Sequence, residues 1–312
     1  MTPTVIDGAA LARSMPAERA VAVLREAVLA GAVSGRTPAR SKVPVAAGEL
    51  LLMPAEDAEF VGVKVVGVAP GNPSRGRPRI TGSYLLLDAR TLVPLAVVDG
   101  AALTLVRTSA VSALAVDLLA AADARRVLVF GTGPQALAHL DAVTAVRTIE
   151  RVDVAGRTAE STAAFHRECL ARGHSAHLAA ADAVERADVV LCCSSARTPL
   201  FDGDRLAPHA TVVAMGSHTP DARELDDLAM RRSTVVVEDV ATARREAGDV
   251  ILAERSGELA VTSLTELVRG DLTPDPGRPR VFKSVGMAWE DLAVAATAYR
   301  EHDPGSGADR PE

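Results

Sequence analysis

Aromatic side chains are nearly missing from this chain: one Trp, two Tyr and five Phe in 312 residues. Its core must therefore be filled by small aliphatic side chains, which suit closely packed sheets and helices. Cysteine is also scarce. Cys169, Cys192 and Cys193 are too few and too badly placed for a disulfide framework, which favours a reducing, cytoplasmic setting. As neighbours in a strand, Cys192 and Cys193 would point to opposite faces and could not easily share a metal, so none is expected. There is no run of about eighteen consecutive apolar residues. The N-terminus MTPTVIDGAALARSM has an early acid and no apolar signal segment, so no membrane association is expected. A basic stripe is missing too, and the net charge of −6 argues against a nucleic-acid surface.

What is present is an ordinary globular composition, 48% apolar and 24% charged, in a length that suits one large or two medium domains. Ser14 and Pro16 open a helical pattern that runs to about Leu29 and ends at Gly31. Strand-like runs follow at 50–53, 61–68, 79–87 and 93–98, with a Gly/Pro-rich turn, APGNPSRGRP, before the third. Residues 102–122 read as a long, nearly all-apolar helix buried between layers. From Arg126 the rhythm changes. Apolar strands at 127–130, 152–155, 189–193, 212–215 and 235–238 alternate with helical stretches, the pattern of a parallel doubly wound sheet. Residues 261–280 read as a helix and a Pro-rich loop, and 281–300 as a short strand and a closing helix. The tail EHDPGSGADRPE is expected to fray.

The segment RVLVFGTGPQALAHL (126–140) is a strand, then Gly131-x-Gly133-x-x-Ala136, then a helix. Gly131 permits the tight turn, Gly133 lets the backbone approach a pyrophosphate, and Ala136 lets helix and strand pack closely. The helix N-terminus supplies free N–H groups to the anion. An NAD site usually ends its second strand on an acid that holds the ribose 2′-hydroxyl. Here that strand, RVDVAGRT, ends on Ala155-Gly156 and continues into Arg157-Thr158. A guanidinium and a hydroxyl suit a 2′-phosphate, so NADP(H) is favoured and NAD(H) kept as the alternative.

Three cations sit in apolar surroundings: Arg40 in TPARSKVPV, Lys64 in FVGVKVVGV and Arg107 in LTLVRTSAVSAL. A buried charge costs several kcal/mol unless it is paired or serves a ligand. Singly, Lys64 could snorkel to an edge and Arg107 could cap a carbonyl. Together they argue for a pocket that takes an anionic substrate. The loop AMGSHTPDAREL (214–225) adds Ser217 and His218, either as part of a site or as a plain strand-to-helix turn.

The succession ELLLMPAE, GVKVV, PGN, LTLVRTSAVSALA, FGTGPQA, GSHTPDARELDD and VFKSVGMAWEDL resembles the ornithine cyclodeaminase/mu-crystallin family, in order from about Arg40 to Leu292. The resemblance implies a Rossmann doubly wound domain over 121–287, and an α+β substrate and dimerisation domain from 1–120 with 288–312. It implies a homodimer. It places Arg40 and Arg107 on the substrate's α-carboxylate, and Lys64 beside the reacting C=N bond as an electrostatic partner or proton donor. On the cofactor side the matching positions are Gly131, Thr132, Gly133, Pro134, Gln135, Gly156, Arg157 and Thr158. Thr108, Ser194, Ser195, Ser217 and Ser284 join them, with Arg79 close to a cofactor contact. Ornithine cyclodeaminases carry an acid, for the substrate's distal amine, where this chain has His218. That absence and the NADP-like second strand both point to net reduction of imino acids, such as the cyclic ketimines pyrroline- and piperideine-2-carboxylate, to L-amino acids. The alternatives are an ornithine or lysine cyclodeaminase, an amino-acid dehydrogenase, and a binding protein without turnover. His218 could tune protonation near neutral pH or stand by.

Overall fold

A computed structural model of the chain describes residues 2–34 and 38–302. Most of the tail expected to fray lies outside these residues. Two compact units are present: residues up to Thr108 together with those from Met287 onward, and Ser109–Gly286.

In the first unit β1 (Thr4–Ile6), α1 (Gly8–Ser14) and α2 (Ala17–Leu29) precede five strands. These are β2 (Ser41–Val45), β3 (Gly48–Glu56), β4 (Phe60–Val68), β5 (Ile80–Asp88) and β6 (Pro94–Asp99). They form an antiparallel meander, with β1 added in parallel beside β6, in the order β1-β6-β5-β4-β3-β2. Where the sequence suggests Ser14 and Pro16 as the start of a helix, Ser14 instead ends α1 and Pro16 is the N-cap of α2. Proline disfavours helix in the residue before it, which divides the two. Asp7 caps α1 by accepting from the Ala10 N–H at 2.8 Å. The two-residue period of β4 turns Phe60, Gly62, Lys64 and Val66 to one buried face. Gly62 is required there, because a Cβ would collide with the Tyr84 hydroxyl.

α3 (Gly100–Leu119) follows β6 directly. By length and composition alone it could cross a membrane, but 67% of its apolar window is buried inside the fold, as in a core helix. Then come β7 (Arg126–Phe130), α4 (Pro134–Val146), β8 (Arg151–Ala155), α5 (Ala159–Ala171), β9 (Ala176–Leu178), α6 (Ala183–Arg186) and β10 (Val189–Cys192). β11 (Thr211–Ala214), α7 (Asp227–Arg232), β12 (Thr234–Val237), α8 (Val240–Glu246) and α9 (Gly248–Arg255) continue the alternation. β13 (Val261–Ser263), α10 (Leu264–Arg269) and β14 (Arg280–Lys283) complete the second unit. Its eight strands are all parallel, in the order β13-β12-β14-β11-β10-β7-β8-β9. From β9 to β14 this is the Rossmann order, and its switch point lies between β7 and β10.

α11 (Ala288–His302) belongs to the first unit and packs on β3, β4, β5 and α2. Its alanines allow a close approach, and Tyr299 meets Phe60 edge to face at 6.1 Å between ring centroids. The opposite face of the sheet is apolar as well. Val43, Leu50, Leu52, Val63 and Val65 share it, with Val43 41% and Val65 38% exposed.

Candidate active site

The chemistry of the first unit gathers around Lys64. Its ammonium, only 1% exposed, lies 2.8 Å from both oxygens of the Asp291 carboxylate and donates to Thr104 Oγ1 at 3.3 Å. Arg107 donates through Nη1 to Glu290 Oε2 at 2.7 Å, and its Nε lies 3.3 Å from Asp291 Oδ1. Glu290 and Asp291 are fully buried in the first turn of α11. Burial lowers the Lys64 pKa to about 8; the positive charge of Arg107 adds to that effect, and Asp291 opposes it. Such an ammonium can give up a proton near neutral pH, which an exposed lysine cannot do readily. Lys64 and Arg107 are thus brought together around Asp291, with Glu290 as a second carboxylate for Arg107. Arg40 lies half-buried just before the edge strand β2. Arg79 is exposed beside β5, and Thr108 is buried on α3 with its hydroxyl donating to the Thr104 carbonyl at 2.6 Å.

The second unit carries the dinucleotide motif at its switch point. Gly131 has φ 122, and a Cβ there would collide with the Cys193 carbonyl oxygen at the end of β10. Gly133 is the N-cap of α4 and Pro134 its first residue; no side chain caps this end, so the first-turn amides point to an open surface. Gln135 follows, half-buried, with its carbonyl 2.7 Å from His139 Nδ1. Gly156 packs against Thr132: a Cβ at 156 would lie 2.6 Å from Thr132 Cγ2. Arg157 is exposed, and Thr158 caps α5, accepting from the Ser161 N–H at 3.2 Å. These residues fit a dinucleotide, because the strand ends and the helix N-terminus leave backbone rather than side chains where a pyrophosphate approaches.

Three of the four serines assigned to the cofactor have internal partners. The Ser194 hydroxyl donates to Glu224 at 2.7 Å, Ser217 bonds the Ala222 carbonyl, and Ser284 donates to Glu238 at 2.6 Å. Ser195 is exposed, as is His218. Through their bonds the hydroxyls of Ser194, Ser217 and Ser284 tie down the backbone of their own loops. Buried acids hold that backbone, and sequence reasoning passed over them. Glu238 accepts from the amides of Val285 and Gly286 at 3.1 and 2.9 Å. Asp249 accepts from those of Glu224 and Leu225 at 2.8 and 2.9 Å and lies 3.0 Å from Lys283 Nζ. The signal was present: VVVEDV, AGDVIL and MAWEDLAV each set an acid inside an apolar run, as FVGVKVVGV does a lysine.

A family model described as the ornithine cyclodeaminase/mu-crystallin family matches residues 17–305. The chain is 39% identical over 267 residues to a Delta(1)-pyrroline-2-carboxylate/Delta(1)-piperideine-2-carboxylate reductase of Azospirillum brasilense, covering 84% of each chain. Among solved structures it resembles the Delta(1)-pyrroline-2-carboxylate reductase of Thermococcus litoralis in complex with NADH and L-proline. That match has a TM-score of 0.89 and 29% identity, over 99% of this chain and 100% of that one. An archaeal alanine dehydrogenase dimer with bound NAD matches with a TM-score of 0.90 and 25% identity, over 99% and 98%.

Proposed function

The chain belongs to the ornithine cyclodeaminase/mu-crystallin family and is an NAD(P)-dependent oxidoreductase acting on C=N bonds; from that premise we propose that it reduces cyclic imino acids with NADPH. The substrates are pyrroline-2-carboxylate or piperideine-2-carboxylate, and the products the corresponding L-amino acids. When bound, the reduced nicotinamide supplies the two electrons and the hydrogen that the imine carbon gains.

The observation that carries this reading is Lys64, a fully buried ammonium paired with Asp291 and tuned to a pKa of about 8. An imine carbon accepts electrons readily only when its nitrogen is protonated, and Lys64 can provide that proton. Arg107, oriented by Glu290 and Asp291, and Arg40 take the α-carboxylate; a planar guanidinium fixes its direction as well as its affinity. Arg157 favours the 2′-phosphate of NADPH, since Gly156 presents no acid to repel it. A second copy of the chain covers the apolar outer face of the first unit's sheet, as a homodimer.

Incubation with NADPH and piperideine-2-carboxylate, followed by nicotinamide absorbance, should show stoichiometric oxidation. A parallel reaction with ornithine and NAD, assayed for ammonia, should show none. Ammonia release without net cofactor change would make the chain a cyclodeaminase. Tight NADPH binding with no turnover on any imine would make it a binding protein.

A further inference from the structure

Glu224 is buried and joins two loops of the second unit that lie at the carboxyl ends of adjacent strands. Oε1 accepts from the Ser194 N–H at 2.9 Å and from the Ser194 hydroxyl at 2.7 Å, just past β10. Oε2 accepts from the Gly216 N–H at 2.8 Å, just past β11. Gly216 allows this closeness, because a Cβ would collide with the Ser194 carbonyl oxygen and lie 2.6 Å from Glu224 Oε1. β10 and β11 belong to the half of a doubly wound sheet that takes the second mononucleotide.

We infer that Glu224 is a positioning residue, whose carboxylate clamps the loops after β10 and β11 in the arrangement that receives the dinucleotide and whose protonation releases them. This rests on the dinucleotide reading above. Three donors bond an ionised carboxylate that has about four accepting sites; a proton takes one of those sites and removes the negative charge that strengthens the remaining bonds. Burial raises the group's pKa to about 7. Lys283 from β14 opposes that rise, the Ser194 hydroxyl and the Gly216 amide oppose it further, and Asp249 from α9 adds to it. Cys192, the last residue of β10, and Cys193 just past it feel the same carboxylate; Glu224 adds to the burial that pushes both thiols well up, so they stay neutral through the same range. The clamp is therefore closed above about pH 7 and opens below it.

Hydrogen exchange read by mass spectrometry on peptides spanning 190–197 and 212–220, corrected for intrinsic pH dependence, tests the clamp without any ligand. Protection should rise through about pH 7 in the native protein and be lower and flat in Glu224→Gln. NADPH affinity should weaken about fivefold on the acid side in the native protein, the factor carried by one hydrogen bond, and vary far less in the variant. Should Glu224→Gln not fold, Ser194→Ala removes a donor to the carboxylate and should move the exchange midpoint upward. Parallel profiles in native protein and Glu224→Gln, or an unmoved midpoint in Ser194→Ala, overturn the inference. Exchange that behaves as expected in a protein that binds no NADPH at any pH upholds the clamp and overturns the cofactor reading instead.

Discussion

Lys64 and Arg107 illustrate how a buried charge is stabilised in an apolar core. The local sequence shows two cations and no counter-charge, and Glu290 and Asp291, which pair with them, come from more than 180 residues away. This pairing changes what a substitution does. Arg107→Ala would leave buried acids without their guanidinium, a loss on the order of 3–5 kcal/mol. Arg107→Lys keeps a cation but loses the fork, so turnover should fall about 100-fold while thermal unfolding and NADPH affinity change little. Steady-state kinetics beside a melting curve checks this; equal loss of NADPH affinity would contradict the carboxylate role. For Lys64 the sign follows from its depressed pKa. The proton-donating form predominates below about pH 8, so kcat/KM should fall as pH rises through that value. Lys64→Met should lower turnover by about 10²–10⁴-fold and remove that limb of the pH profile.

At the scale of elements, the strands and the long helices were legible because periodicity and apolar runs are local properties. β4, β5, β7, β8, β10, β11 and α3 lie where the apolar pattern puts them, to within a few residues. β9 and β13 escaped notice, since three residues are too few to display a period. Pro16 signals the break between α1 and α2, but a sequence pattern shows only the helix that begins there. The glycine motif was legible from its spacing, and within the fold Gly131 answers a steric demand, meeting the Cys193 carbonyl, while Gly133 opens onto free space at the N-terminus of α4. The element that follows β8 carries the prediction on cofactor choice. Arg157→Ala should weaken NADPH binding about tenfold or more and leave NADH nearly unchanged, as titration of both reduced cofactors would show. An unchanged NADPH/NADH preference would remove Arg157 from the 2′-phosphate.

For the whole molecule, the proposed homodimer rests on the face of the first unit's sheet opposite α11. Val43, Leu50, Leu52, Val63 and Val65 make it apolar in register across β2, β3 and β4, a face of the kind that marks an interface. Val65→Asp sets a charge on that face and leaves the buried face of β4 untouched. Light scattering should show a dimer for the native chain and a shift to monomer for the variant, with α-helix and sheet content retained. A native chain that scatters as a monomer would oppose the dimer.

The sequence by itself determined most of the longer elements, the doubly wound character of the central segment, the dinucleotide motif and the family, because each rests on short-range patterns or an ordered set of motifs. Only the tertiary structure decided which charges meet. It supplied Asp291 to Lys64, Glu290 to Arg107, and Glu224 and Glu238 to the loops above the sheet. It also gave the hydroxyls of Ser194, Ser217 and Ser284 partners within the fold: Glu224, the Ala222 carbonyl and Glu238. The reason is physical: an isolated charge or hydroxyl in a sequence has no defined energy until the fold sets its burial and its partners.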